Sequence, residues 1–242
     1  MIKKSNLLFI VIPALIFSYI LYMIIVDSLP LACTNGFRII SRKEWNANNP
    51  LDTSGVYYYK DDLKVVLKYI VIHHSGFREN IGVKNIQSYQ QSCGYNDIAY
   101  HFIIDRYGKI YEGRKINTLG AHAGETAEAN NMAQRFSKHI DKHLTATSLP
   151  EPYKLDPDYG AIGICLEGNF EIERPTRCQL SNLKQLVLYL MQKYNIEKDN
   201  IMLHKEVRKR LILKRNLHPI KEETHCPGKY GAAEIKHLIN TI

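Results

Sequence analysis

Apolar residues fall into three patterns along this chain. The first is an almost uninterrupted run of 20 residues from Leu7 to Val26. It is long enough to cross a hydrocarbon core of roughly 30 Å as a helix, and longer than the apolar core of a cleaved signal peptide. Lys3 and Lys4 precede the run and Asp27 follows it, which keeps the short tail cytoplasmic and sends the remainder outward. Residues 1–33 therefore read as an N-terminal membrane anchor, a transmembrane helix. A rival reading comes from Leu29-Pro30-Leu31-Ala32-Cys33, which puts a small residue just before a cysteine as a lipoprotein cleavage site does, although Pro30 fits such a site poorly. Both readings place residues 34–242 outside the cytoplasm, on the periplasmic or extracellular side.

The second pattern is the short continuous apolar run. Tyr69 to Ile72 is rich in β-branched residues, predicts a strand buried on both faces, and ends at His73. Ile98–Ile104 predicts another strand, followed by a turn at Asp105–Gly108 and a short return strand over Lys109–Glu112. Ala161–Leu166 and Ile201–His204 complete the set. The third pattern is helical. Thr176 and Gln179 make a capping box, and Leu180, Leu183, Val187, Leu190 and Tyr194 then recur along one face. Strands interleaved with helices predict one α/β domain over 34–242, with a central mixed β-sheet flanked by helices. The pattern loosens over 125–159. Ala129–Leu144 predicts a helix, whereas Thr145–Tyr159, with Pro150, Pro152 and Pro157, reads as a long surface loop, and the whole stretch as an insertion.

Composition changes this picture little. With 45% hydrophobic and 23% charged residues the chain is globular, which excludes collagen-like, low-complexity and disordered classes. The net charge of +8, from 32 Lys and Arg against 24 Asp and Glu, points to an anionic partner. Arg208-Lys209-Arg210 and Lys214-Arg215 could form a phosphate-contacting patch, but no aromatic stacking platform is interleaved with them. An exported domain would rarely meet nucleic acid, so no nucleic-acid partner is expected.

Chemistry enters with the ten histidines and five cysteines. His73 ends a buried strand, His204 follows Ile201-Met202-Leu203, and Cys226 lies in Thr224-His225-Cys226-Pro227-Gly228. Ligands at strand ends and in an adjoining loop can meet at one sheet edge. Two imidazoles and a thiolate suit Zn2+, with the fourth tetrahedral position left to water. Neighbouring strand residues point to opposite faces, so only one of His73 and His74 can aim at such an ion, and spacing does not say which.

Seven motifs in order carry a family resemblance: Tyr69-Ile70-Val71-Ile72-His73-His74-Ser75, Ile98-Ala99-Tyr100-His101-Phe102-Ile103-Ile104, Ile110-Tyr111-Glu112-Gly113-Arg114, Gly120-Ala121-His122-Ala123-Gly124, Ala161-Ile162-Gly163-Ile164, Glu167-Gly168-Asn169-Phe170 and Thr224-His225-Cys226-Pro227-Gly228. They resemble the zinc-dependent N-acetylmuramoyl-L-alanine amidases of the type 2 family, which includes phage T7-like lysozymes and the peptidoglycan recognition proteins. Ile40-Ser41-Arg42-Lys43-Glu44-Trp45 resembles the opening of the recognition-protein branch. The resemblance implies His73, His204 and Cys226 as zinc ligands, Tyr100 beside the metal-bound water, and Thr224 helping to hold a developing oxyanion. It implies His122 and Arg114 as lining of the substrate groove. Some relatives carry a carboxylate at the position of Cys165; Glu167, two residues on, is the substitute this chain offers.

The reaction so implied is hydrolysis of the amide between N-acetylmuramic acid and L-alanine in peptidoglycan or a muropeptide. The alternative is a non-catalytic peptidoglycan-recognition module, since some members of the family keep the groove and lose the metal. With Cys226 on zinc, the remaining cysteines leave room for a disulfide whose partners the sequence does not choose.

Overall fold

The structure, a computed structural model, describes Ser18 and residues 36–52, 58–123, 143–144, 157–212 and 224–242. The chain divides into two units, Met1–Ala32 and Cys33–Ile242. The apolar run 7–26 and the lipoprotein reading of Cys33 lie outside the described residues, apart from Ser18. Among the described residues no helix is long and apolar enough to cross a membrane, so the anchor stays an expectation from sequence.

Eight strands are described: β1 (Ile39–Ile40), β2 (Tyr58–Tyr59), β3 (Tyr69–His74), β4 (Phe102–Ile104), β5 (Ile110–Glu112), β6 (His143–Leu144), β7 (Ala161–Leu166) and β8 (Ile201–Leu203). Six of them form one sheet in the order β1-β5-β4-β7-β3-β8. Only the β4–β5 pair is antiparallel, joined by the expected turn; the other pairs are parallel, so the sheet is mixed as its sequence predicts. Asp105 shapes that turn, its carboxylate accepting from the amides of Tyr107 (2.9 Å) and Lys109 (2.8 Å). Gly108 closes it at φ +85°, where a Cβ would lie 2.8 Å from the Cys178 carbonyl oxygen.

Four α-helices are found among the described residues: α1 (Leu63–Val66), α2 (Gly82–Ser92), α3 (Arg177–Tyr194) and α4 (Lys229–Asn240). One sheet face carries Ile70, Ile72, Ile104, Ile162, Ile164 and Leu203, which pack with Leu183, Leu186 and Leu190 of α3 and Ile235 of α4 into the main core. This is the large apolar burial that drives the fold. The opposite face carries Val71, His73, Gly163, Cys165 and Ile103, which the parallel register sets side by side. Its apolar clusters are smaller, one under α2 with Val83, Ile86 and Tyr100, another around Met202 and Leu211. The main core stabilises the sheet; the opposite face has room for polar groups.

Several expectations are corrected in detail. The strand predicted over Ile98–Ile104 is regular only from Phe102. His204 does not end β8 but opens a 3-10 turn, His204–Glu206, in which the Glu206 carboxylate accepts from the Leu203 amide (3.0 Å). The helix predicted over Ala129–Leu144 fails at its last two residues, which pair as β6 with β2, a long-range ladder that local periodicity cannot reveal; the rest lies outside the described residues. Cys178 is disulfide-bonded, whereas Cys93, Cys165 and Cys226 are free thiols.

Candidate metal centre

The sheet brings the predicted donors together. β8 lies beside β3 with Ile72 opposite Leu203, so the next residues along, His73 and His204, are neighbours at the strand ends; their ring centres are 4.5 Å apart. Cys226 reaches the same point from the loop before α4. That loop is tied down by the Lys205 amide donating to the Cys226 carbonyl (2.9 Å) and by the His74 amide donating to Cys226 Sγ (3.4 Å). The ligand atoms of His73, His204 and Cys226 all lie within 4.8 Å of one another. His73 presents Nδ1 to Cys226 Sγ at 3.8 Å.

The doublet is thereby resolved. His73 faces the cluster, while His74 Nδ1 accepts from the Phe170 amide (3.0 Å). Strand alternation puts the two rings on opposite faces.

Burial sets the electrostatics. It holds His73 well below the ordinary histidine range, with the neighbouring His204 and His122 adding to the effect. It brings His204 down to about 4 and raises the Cys226 thiol to about 12. Neutral imidazoles offer lone pairs at neutral pH. A buried thiol facing them ionises only if a cation compensates its charge, which is what a divalent metal does. The donor set fits zinc.

Tyr100 and Thr224 stand next to this cluster. The Tyr100 ring centre is 5.2 Å from that of His73, and burial, with Cys165 and Cys226 nearby, pushes its hydroxyl well above the ordinary tyrosine range. Its backbone is pinned by the Arg114 amide, which donates to the Tyr100 carbonyl (2.7 Å). Thr224 Oγ1 accepts from the Cys226 amide (3.1 Å).

Three other expected residues are placed by the structure. Arg114 lines a cavity together with Arg42, Asp97 and Thr118, and its guanidinium donates to the carbonyls of Ile98 and Leu119 (3.0 Å each), which holds the Tyr100 segment in place. His122 is buried behind His73, with its Nδ1 3.1 Å from His73 Nε2. Glu167, the substitute the sequence offered for a carboxylate at position 165, is 1% exposed; it accepts from the Gly82 amide (2.7 Å) at the start of α2, and burial raises its carboxyl above the ordinary range. Cys165, opposite His73 in register, is a buried thiol next to Tyr100.

Two residues escaped the sequence reading. Asp158, in the stretch read as surface loop, is 1% exposed and accepts from the amides of His122 and Ala123 (2.9 Å each). An acid three residues before a fully buried strand was the available signal. His101 is also buried: Nδ1 accepts from the Gly163 amide (3.0 Å) and Nε2 donates to the Thr118 carbonyl (3.0 Å), which fixes the neutral ring.

Comparison with known proteins supplies the context. Residues 62–229 match the model of the family described as N-acetylmuramoyl-L-alanine amidase. Peptidoglycan-recognition protein SC2 of Drosophila simulans is 36% identical over 96 residues, 36% of this chain and 48% of that protein. Peptidoglycan-recognition protein LB of Drosophila melanogaster is 27% identical over 208 residues, 82% of this chain and 67% of that protein. The chain spans about half the length of the first of these curated relatives. Among solved structures, the N-acetylmuramoyl-L-alanine amidase LysC from Clostridium intestinale URNW superposes with a TM-score of 0.53 at 25% identity, covering 84% of this chain and 97% of that one. The Drosophila recognition protein LB shares the fold, with a TM-score of 0.54 at 24% identity, over 82% of this chain and 92% of that one. With the family model matched across most of the sheet and both ends of the donor set, the chain belongs to the N-acetylmuramoyl-L-alanine amidase family of type 2, the family shared by the peptidoglycan recognition proteins.

Proposed function

We propose that this chain is a zinc-dependent N-acetylmuramoyl-L-alanine amidase that hydrolyses the amide between N-acetylmuramic acid and L-alanine in peptidoglycan or its fragments. The observation that carries this reading is the convergence of His73, His204 and Cys226 beside Tyr100. A recognition module without catalysis has no need of a complete donor set. One solved relative, the recognition protein LE, is described in complex with tracheal cytotoxin, a monomeric diaminopimelic acid-type peptidoglycan, and this supports the substrate class. Such a substrate agrees with a domain exported behind the apolar run 7–26.

Zinc held by His73, His204 and Cys226 would lower the pKa of a bound water toward ~7 and polarise the scissile carbonyl. The chain's own groups do the rest. Tyr100, kept protonated by its surroundings, donates a hydrogen bond to the oxygen on which negative charge develops. Thr224 already accepts from the Cys226 amide, so its own proton is left to donate toward the same oxygen while its acceptor side steadies the Cys226 turn. Arg114 keeps the Tyr100 backbone in register with the sheet.

Cys226→Ser tests the reading on a muropeptide carrying the lactyl-alanine amide. Release of stem peptide falls by more than ~100-fold, since losing even an outer partner of a ligand costs about 10- to 100-fold in metal affinity. Undiminished release would remove Cys226 from the site and the reading with it.

A further inference from the structure

His73 has two ring nitrogens, and the structure gives each a distinct neighbour. Nδ1 faces Cys226 Sγ at 3.8 Å; Nε2 lies 3.1 Å from His122 Nδ1. A neutral histidine that ligates a metal through Nδ1 carries its proton on Nε2, and that proton needs an acceptor. His73 is 1% exposed, so water is poorly placed to serve. The group in range is the Nδ1 lone pair of His122.

His122 is built to stay where it is. Its amide and that of Ala123 both donate to Asp158 Oδ1 (2.9 Å each), and the same oxygen is 3.2 Å from His122 Nδ1. Its ring lies against two glycines. A Cβ on Gly163 would come within 2.3 Å of His122 Cδ2, and one on Gly120 within 2.6 Å of the same atom. Neither position has room for a larger residue unless the ring moves, and the ring is 5% exposed with little space to move into. His122 Nδ1 thus sits between His73 Nε2 and the Asp158 carboxylate. Only one proton can serve these two contacts. On His73 Nε2 it leaves His73 Nδ1 free to bind a metal and puts the proton of His122 on Nε2, a buried atom with no hydrogen-bond partner among the described residues; on His122 Nδ1 it lies near Asp158 Oδ1, and His73 then holds its own proton on Nδ1, against the metal.

We propose that His122, braced by Asp158 and seated on Gly120 and Gly163, is a positioning residue: it accepts the Nε2 proton of His73 and so holds the His73 Nδ1 lone pair toward His204 and Cys226. This rests on the zinc centre proposed above and adds the residue that selects the metal-binding tautomer. It also gives the histidine of the Gly120–Gly124 motif a role behind the ligands in place of one in the groove.

Zinc affinity, measured by competition with a chromogenic chelator, tests it. His122→Phe keeps a ring of similar size and removes the acceptor; affinity falls about 10- to 100-fold. His122→Asn, whose Oδ1 can stand near the place of Nδ1, regains most of the roughly 10- to 100-fold loss because an acceptor for the His73 proton is restored. Wild-type affinity in a folded His122→Phe protein would reduce His122 to packing and overturn the proposal. Should that variant fail to fold, ring 15N shifts of the zinc-loaded wild type decide: His122 bears its proton on Nε2 with Nδ1 unprotonated, and a proton on His122 Nδ1 would contradict it. A wild-type protein that takes up no zinc would fault the metal centre and this proposal together, which separates that failure from a loss of the His122 role alone.

Discussion

Four side chains singled out by sequence stand together in space, and a fifth, Thr224, grips the loop that carries one of them. His204, Cys226 and one of the His73–His74 pair were legible because strand ends and a Cys-Pro-Gly loop are places where donors can converge; the choice of His73, and the roles of Tyr100 and Thr224, were implied only by the family resemblance. The role of Tyr100 is tested by Tyr100→Phe. With one oxyanion donor gone, turnover drops about 10²- to 10³-fold, while zinc affinity stays within about twofold because Tyr100 is not a ligand; unchanged turnover would exclude it. What sequence hid were residues whose importance lies in a partner far along the chain. His101 is such a case. Burial, reinforced by His122, brings it down to about 3 from an ordinary 6.5. Above 6.5 the ring is neutral in both folded and unfolded chains. As pH falls, the unfolded chain takes up a proton that the folded one refuses, so stability is lost between about 6.5 and about 3. Urea midpoints of wild type should decline across that window more steeply than those of His101→Asn. Parallel declines would show that His101 is not the group responsible.

At the scale of elements, legibility followed periodicity. α3 and β7 stand where the pattern put them, and the capping box is present: Thr176 Oγ1 accepts from the Gln179 amide (3.1 Å), and the Gln179 carboxamide oxygen accepts from the Thr176 amide (3.0 Å). Thr176→Ala should therefore cost about 1 kcal/mol in chemical denaturation, as losing an N-cap hydroxyl does; no loss would mean that the sheet alone holds this end. α2 and α4 were not foreseen. In α2 the buried face is completed by Gln87 and Gln91, and a glutamine facing inward looks polar until its partners are known. Gln87 Nε2 donates to Asp97 Oδ1 at 2.6 Å, ten residues along the chain. α4 opens on Gly228 and buries Gly231 and Ala232 ahead of Ile235 and Leu238, so only its second half carries large apolar residues on the buried face, too short a run to mark the whole helix. β6 depends on β2, about 85 residues earlier by its register, and no local pattern encodes such a pairing.

For the whole molecule, one sheet separates two tasks. Its first face, packed with isoleucine and leucine against α3 and α4, supplies stability. Its second face gives up apolar burial at Gly163 and admits buried histidines at 73, 101 and 122. Each of those rings is held neutral by burial, so the face that forms the donor cluster is also the one that resists acid least well. The charge of +8 is a property of the whole chain; under the proposed function it would suit attraction to an anionic polymer. The measurement that tests the central claim most directly is mass spectrometry of a muropeptide incubated with three preparations: the purified protein, the protein stripped of metal by a chelator, and the stripped protein given back one equivalent of zinc. The account predicts intact sugar and free stem peptide beginning with L-alanine from the first and third, and neither from the second. Equal cleavage by the stripped protein, or an uncut muropeptide with zinc demonstrably bound, would contradict it.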